Sequence, residues 1–340
     1  HDYIAIHDFV RGQIRTEFHV GARRTPAQTL AARAGNDAEQ AALLIALLRA
    51  SGAGARYVQG VLELPVSRWA AITGLTSAAE IGRLFAAAGI AHEPVLEQGV
   101  VAAFRVEHVF VSAYVPYANF RGATHDLSGE AWIPLAPALK SHATTGAGDL
   151  LGPSGIEAET FIRDAVQVIA DRLPIELLEQ RINAHFGGQA GGSAESLARR
   201  REVSADPLGL LPASLPGRLL GMVAERATPT DAMLQYLHVR LHQGAASDAA
   251  VDREITLGLR DLANARLTLA FQPATEADQD VIERFGGLGQ VPAYLVRLRP
   301  RLLRDGEPVL VGTHDLLPGD ALRVSLEFSS AAGQVQAEQQ

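Results

Sequence analysis

The sequence of 340 residues contains no cysteine. Without a thiol the chain cannot form a disulfide, bind a metal through thiolates or use a cysteine nucleophile. The chain is rich in apolar residues: 47% of its residues are hydrophobic and 20% are charged. This balance is that of a globular protein, and the length allows two domains of ordinary size.

Positive charge is scarce. Lys and Arg number 30 against 38 Asp and Glu, which gives a formal net charge of −8, and Lys140 is the single lysine. Such a chain has no general basic field for a phosphate backbone, so we expect no nucleic-acid partner. No apolar run approaches the roughly 20 residues that cross a bilayer, so we expect no membrane span. The chain opens on His1 without a signal-peptide pattern, which indicates a piece of a longer or processed protein.

The first residues show helical patterns. The spacing of apolar residues predicts one amphipathic helix over 3–18. A Thr-Pro pair then opens a short helix that is expected over 27–34.

The next helix is the most apolar segment of this region. The run 41–50 consists of strong helix formers with a single charged residue, so we expect this helix to be buried. Asn36 or Asp37 is its predicted N-cap, and Glu39 or Gln40 falls at the capping-box position.

Strand patterns dominate the following segment. Strands are predicted over 56–64, 100–106, 108–115 and 132–135, and two helices are predicted over 66–90. Helices followed by antiparallel-looking strands form the α+β pattern, which is the predicted fold class. The helical segment 66–90 could cover a cleft or lie on the surface.

The rest of the chain changes from helical to β character. Helices are predicted over 156–172 and 175–186, and the glycine-rich segment 187–193 is a predicted linker. Beyond Pro207, short strands separated by turns predict a β-sandwich. Its strands are expected at 234–241, 255–259, 266–271, 293–298, 309–311 and 322–328. The predicted domains are 1–150, a helical segment and linker over 151–205, a sandwich-like domain over 206–330 and a tail over 331–340.

Three blocks in the first half resemble one known family. The blocks are Gly35–Gly60, His108–Val115 and Trp132–Pro137. In this order they resemble the core of the transglutaminase-like superfamily, which shares the papain-type fold. The resemblance covers roughly residues 1–140 and implies a papain-like α+β core there.

The resemblance also implies a set of site residues. In this family a cysteine at the start of a buried helix attacks a glutamine or peptide carbonyl, a histidine moves the proton, and an aspartate orients the imidazole. In the matching blocks Asp37 stands at the cysteine position, His108 at the histidine position and Ala136 at the aspartate position. Two of the three triad positions have lost their usual residue, which predicts a catalytically degenerate domain.

Asp37 then has more than one interpretation. A carboxylate at a helix start binds free N–H groups and contributes about 0.5–2 kcal/mol, and it can also pair with His108. This structural role is the main prediction, because attack by a carboxylate on an amide would form an unfavourable anhydride. The alternative is an amide or ester hydrolase in which Asp37 and His108 hold a water, or a transglutaminase-like enzyme that uses the same two residues. Ligand binding in a surviving groove is a third reading.

Other histidines offer two further metal candidates, because His7 with His19 and His238 with His242 have spacings that occur in metal sites. His238 and His242 are four residues apart, as in zinc-binding helices, but the segment 234–241 is a predicted strand and no Glu lies between them. We therefore predict no metal site and no cofactor.

A second resemblance concerns the β-rich half. Segments 206–216, 267–279 and 292–306 resemble regions that follow such domains in large bacterial surface or secreted proteins, some with Rhs/YD-type repeats. This resemblance implies a module of a larger bacterial protein that acts outside the cytoplasm. The expected partners are other domains of the same polypeptide, or a protein or peptide ligand in the ancestral cleft.

Overall fold

The computed structural model describes residues 2–116, 130–145, 154–167, 173–186, 200–204, 215–330 and 335–339. The chain divides into two compact units, one formed by His1–Leu139 together with Pro207–Gln340 and the other by Lys140–Asp206. The predicted linker 187–193 lies outside the described residues. The domain bounds expected from the sequence remain a prediction, because a division into compact units does not by itself identify domains.

Helices and strands both contribute substantially to the described residues. The α-helices are α1 (Tyr3–Gln13), α2 (Pro26–Ala32), α3 (Asp37–Ala50), α4 (Val66–Thr73), α5 (Ala78–Ala87), α6 (Ala158–Gln167), α7 (Pro174–Phe186), α8 (Leu259–Leu262) and α9 (Glu276–Arg284). The strands are β1 (Arg15–Thr16), β2 (Ala34–Gly35), β3 (Gly54–Pro65), β4 (His92–Glu97), β5 (Val100–Pro116), β6 (Glu130–Leu135), β7 (His142–Thr145), β8 (Arg200–Val203), β9 (Arg218–Arg226), β10 (Gln235–His242), β11 (Val251–Gly258), β12 (Leu267–Pro273), β13 (Leu298–Arg304), β14 (Glu307–Val311), β15 (Val324–Ser330) and β16 (Val335–Gln339). The α+β fold class is confirmed.

The N-terminal helix is shorter than its pattern suggests. The prediction of a helix over 3–18 is wrong beyond Gln13, because Ile14 turns to extended backbone and is buried in the core. Arg15 then pairs in parallel with Ala34, so β1 replaces the last predicted helical turn and β2 is its partner strand. The predicted short helix is confirmed as α2.

The first unit contains an antiparallel sheet whose strands differ in length. Its strands run in the order β4-β5-β3-β9, and β6 pairs with β5. β5 joins two predicted strands into one, and its pairing with β3 places Gly60 opposite His108. The edge strand β9 was not predicted, and its pairing with β3 contains two irregularities.

Helices cover both faces of this sheet. Because side chains alternate along a strand, Val111 of β5 packs in the same cluster as α3, whereas Phe110 packs with α4 and α5. The two helices predicted over 66–90 are confirmed as α4 and α5. They meet through Trp69 and Phe85, whose rings are 4.9 Å apart in an edge-on arrangement.

The β-rich part of the first unit contains two further sheets. One has the order β11-β10-β15-β16 and the other β12-β13-β14, and all their pairs are antiparallel. Leu237 and Val239 of β10 share a hydrophobic cluster with Leu302 of β13, which joins the two sheets as in a sandwich. The strand predicted at 293–298 is wrong, because Ala293–Leu295 forms a 3₁₀ turn before β13 begins.

The second unit contains β7 and β8 as an antiparallel pair and the helices α6 and α7. Phe161 of α6 is buried, and the guanidinium of Arg181 lies 5.2 Å from its ring centroid. The helices predicted at 156–172 and 175–186 correspond to α6 and α7, although 168–172 lies outside the described residues.

Among the residues that the structure describes, no helix is both long and apolar enough to span a bilayer.

Candidate functional site

The buried helix α3 begins beside β5 with a capping box. Asn36 is the N-cap, and its Oδ1 accepts a hydrogen bond from the Glu39 N–H at 2.9 Å. In return, Glu39 Oε2 accepts from the Asn36 N–H at 3.1 Å. Of the two predicted caps, Asn36 is therefore the N-cap, and Asp37 is the first helical residue.

Asp37 connects the start of α3 to β5. Its Oδ2 lies 3.2 Å from His108 Nδ1 and accepts a hydrogen bond from the Val109 N–H at 2.8 Å. Its Oδ1 accepts from the Ala38 N–H at 2.9 Å. The carboxylate thus binds one imidazole and two backbone donors, and 24% of its side chain is exposed.

These contacts decide the charge state of Asp37. Burial raises the pKa of this carboxyl, but the hydrogen bond and charge of His108, with the N–H groups of Val109 and Ala38, outweigh it. The net result is a pKa below the usual range. Asp37 is therefore an ionised carboxylate at neutral pH.

The imidazole nitrogen of His108 that does not face Asp37 is buried. The side chain of His108 is 8% exposed, and its Nε2 has no hydrogen-bond partner within the described part of the chain. Ala136 follows β6, is 9% exposed and packs in the apolar cluster that also holds Phe110. A methyl group at position 136 cannot accept a hydrogen bond from an imidazole.

A cavity of about 160 Å³ lies next to this pair, and both Asp37 and His108 line it. The apolar part of its wall includes Phe18, Trp69, Phe85, Ile90, Val106, Leu139 and Met233. The polar part includes Glu17, His19, Gln59 and Glu107. An engineered apolar cavity of ~150 Å³ binds benzene, so there is room for a small molecule or one inserted side chain.

The comparison with known families concerns the part of the chain that carries this site. Residues 2–137 match the family model described as the transglutaminase-like superfamily. The chain contains a transglutaminase-like domain. No curated protein and no solved structure gave a significant match to the chain.

The match confirms the transglutaminase-like core of the α+β prediction. It spans α1 to β6, and the three blocks quoted from the sequence fall within it. The structure brings Asp37 and His108 into contact and places Ala136 after β6. The equivalence of these three positions to the family's triad stays a prediction.

The same domain holds a second cluster, in which His19 lies beside Glu17 and Glu39, a grouping that the sequence did not predict. His19 Nε2 lies 3.8 Å from Glu17 Oε2 and 4.0 Å from Glu39 Oε2. Arg24 Nη1 contacts both carboxylates, at 2.6 Å from Glu17 Oε2 and 3.4 Å from Glu39 Oε2. Glu39 is fully buried, and its Oε1 accepts the N–H groups of Arg23 and Arg24.

The loop that carries His19 is held in place by backbone contacts. Asn36 Nδ2 donates to the carbonyls of His19 and Gly21 at 3.0 and 3.1 Å. Gly21 has a φ of 71°, and a Cβ there would lie 2.9 Å from the Leu234 carbonyl oxygen. Only glycine fits this approach without strain, so Gly21 fixes the path of the loop.

The ionisation of this cluster follows from burial and from its arginines. Burial, followed by the charge of Arg23, lowers the pKa of His19 against the opposing influence of Glu39. Burial raises the pKa of Glu17, but Arg24 outweighs it and the net pKa is lowered. At neutral pH the cluster therefore holds a neutral imidazole beside an ionised Glu17.

His238 and His242 both lie in the strand β10. His238 Nε2 lies 2.6 Å from Ser329 Oγ, and its Nδ1 lies 2.9 Å from Thr256 Oγ1. His242 Nε2 lies 2.9 Å from Ser325 Oγ. These contacts give both rings a structural role between neighbouring strands.

Proposed function

We propose that the transglutaminase-like domain is catalytically degenerate and serves as a structural or binding part of a larger bacterial secreted or surface protein. One observation carries this proposal. The carboxylate of Asp37, which the resemblance assigns to the position of the family's nucleophile, binds His108 Nδ1 and the N–H groups of Val109 and Ala38. These bonds hold α3 against β5, which is a structural task.

The surroundings of His108 support the same proposal. A general base needs one ring nitrogen to orient and the other to exchange a proton with substrate or water. His108 Nδ1 faces Asp37, whereas Nε2 is buried without a hydrogen-bond partner in the described residues. Ala136 supplies no carboxylate to this ring.

The binding role rests on the cavity. Its apolar wall from Phe18, Trp69 and Ile90 can receive a hydrophobic group, and its polar wall can fix the orientation of that group. The proposed occupant is a protein or peptide side chain, or a segment of the parent polypeptide.

A second candidate function has one observation in its favour. Asp37 and His108 are within 3.2 Å of each other and line a cavity, and Asp37 is partly exposed. An amide or ester hydrolase could use such a pair to activate water, provided that an oxyanion hole completes the site.

An activity assay separates the two functions. Purified protein is incubated with a glutamine donor and, separately, with an activated ester, and ammonia or alcohol release is compared with Asp37→Ala and His108→Ala variants. Degeneracy predicts the same background rate for all three proteins. Release that either substitution abolishes would establish the hydrolase and overturn the pseudoenzyme.

A restoration experiment tests whether the triad positions are correctly assigned. In Asp37→Cys with Ala136→Asp, the new thiol is the only one in the chain, so alkylation by iodoacetamide reports on it alone. We expect its pKa to lie below that of a thiol in Ser67→Cys, an exposed residue in the first turn of α4. Equal pKa values for the two thiols would contradict the assignment of His108 as the partner of position 37.

A further inference from the structure

Three potential metal ligands converge at the start of α3. The ligand atoms of Glu17, His19 and Glu39 all lie within 4.8 Å of one another. The His19 side chain is nine-tenths buried, with 10% exposed. Its Nε2 has no hydrogen-bond partner among the described residues and lies 3.8 Å from Glu17 Oε2 and 4.0 Å from Glu39 Oε2.

The spacing of these atoms is wrong for hydrogen bonds but close to that of a metal site. Distances of 3.8 and 4.0 Å from Nε2 to the two carboxylates exceed hydrogen-bond range. Zinc binds nitrogen and oxygen at about 2.0–2.2 Å, so two ligands of a tetrahedral site lie roughly 3.4 Å apart. To bind one ion, the imidazole and each carboxylate have to approach each other by about half an ångström.

We propose that Glu17, His19 and Glu39 form a binding site for a zinc ion. One imidazole and two carboxylates are ligand types that Zn²⁺ accepts, and three protein ligands leave a fourth position open. Glu17 and His19 also line the cavity, so this fourth position can be reached from it. Neither Asp37 nor His108 is a ligand, so the zinc site does not depend on whether that pair is catalytic.

Arg24 is the competitor of the ion. Its Nη1 contacts Glu17 Oε2 at 2.6 Å and Glu39 Oε2 at 3.4 Å, which places a positive charge beside the two oxygens. Its side chain is 30% exposed, so the guanidinium can withdraw towards solvent when an ion binds. Glu39 keeps its backbone hydrogen bonds from Arg23, Arg24 and Asn36 during this exchange.

The test uses the untagged full chain, freed of metal with a chelator and titrated with Zn²⁺ by calorimetry. The visible spectrum of Co²⁺ serves as a second readout of ligand number. We expect one ion per chain and a loss of affinity of at least tenfold in His19→Gln and Glu17→Gln. Arg24→Gln is expected to bind zinc more tightly, and His314→Gln, which lies outside the cluster, to bind it unchanged.

Several outcomes would overturn the proposal. One is that the natural sequence does not bind zinc stoichiometrically. Binding that appears only in Arg24→Gln counts as this outcome. Another is binding that survives His19→Gln without loss. Circular dichroism of each variant establishes that it is folded, and His19→Ala provides a second ligand deletion if His19→Gln retains residual coordination.

Discussion

Two histidines approach carboxylates at the start of α3, and they do so differently. His108 lies 3.2 Å from Asp37, whereas His19 remains 3.8 Å from Glu17 and 4.0 Å from Glu39. The first pair is in contact and the second is held apart. A contacting pair links two elements of the fold, whereas a separated pair leaves ligand atoms that can bind something else.

The difference follows from what else each carboxylate binds. Asp37 has two backbone donors and takes the imidazole as its third partner. Glu39 is occupied by three backbone donors and by Arg24, so no lone pair is left at hydrogen-bond distance for His19.

The largest effect is expected when the carboxylate of Glu39 is removed. Glu39→Ala leaves the N–H groups of Asn36, Arg23 and Arg24 without their acceptor in a fully buried site. We expect the free energy of unfolding to fall by about 3–5 kcal/mol. Urea denaturation measures this change. Glu80→Ala removes the equivalent, solvent-facing residue of the α5 capping box, and a comparable loss there would contradict the role of burial.

The next effect concerns the contacting pair. Asp37→Ala removes the acceptor for Val109 N–H and Ala38 N–H together with the imidazole contact, and we expect a loss of about 2–3 kcal/mol. A double-mutant cycle with His108→Ala isolates the pair, and we expect a coupling energy of about 1–2 kcal/mol. Additive effects would show that Asp37 acts only as a helix-start carboxylate.

The sequence could predict the local features of this site and not the distant ones. Asn36 and Glu39 are three residues apart on one helix start, so their capping box is a local pattern. The resemblance to the transglutaminase-like superfamily predicted that Asp37 and His108 belong to one site, although 108 − 37 = 71 residues separate them.

The second cluster depends on geometry that has no local signal. Glu17 and His19 reach Glu39 only because Gly21 and Asn36 fix the loop between β1 and α2. The strand β9 was missed for a similar reason. Its exposed residues lack the alternation that marks a half-buried strand, and its place is set by pairing with β3 across more than 150 residues.

A pH titration of stability distinguishes the two histidine sites. The pKa of His19 is lowered in the folded protein, so below the unfolded value of about 6.5 the unfolded chain binds more protons. The contribution of His19 to the free energy of unfolding is therefore present above that pH and is lost as the pH falls towards the pKa of His19 in the folded protein. We expect His19→Gln to remove this loss and His314→Gln to keep it, as measured by thermal unfolding between pH 7 and 5.

Asp37 provides the contrast at lower pH. Its folded pKa lies below the unfolded value of about 3.9, so its contribution is present above that pH and disappears as the pH falls through the folded pKa. Asp37→Asn should flatten the stability curve below about pH 4. Because the charge of Asp37 also raises the pKa of His19, the same variant should slightly increase the loss of stability between pH 7 and 5. An unchanged curve below about pH 4 would contradict the lowered pKa of Asp37.

The smallest effect is expected for the arginine of the separated cluster. Arg24 is 30% exposed and Glu17 is 25% exposed, so water already screens their 2.6 Å contact. Arg24→Gln should reduce the free energy of unfolding by about 1 kcal/mol or less, because Glu39 keeps its three backbone donors. The same urea denaturation as for Glu39→Ala measures it. A loss as large as that of Glu39→Ala would mean that the guanidinium, and not the backbone, makes the buried carboxylate tolerable, and Arg24 could then no longer withdraw in favour of an ion.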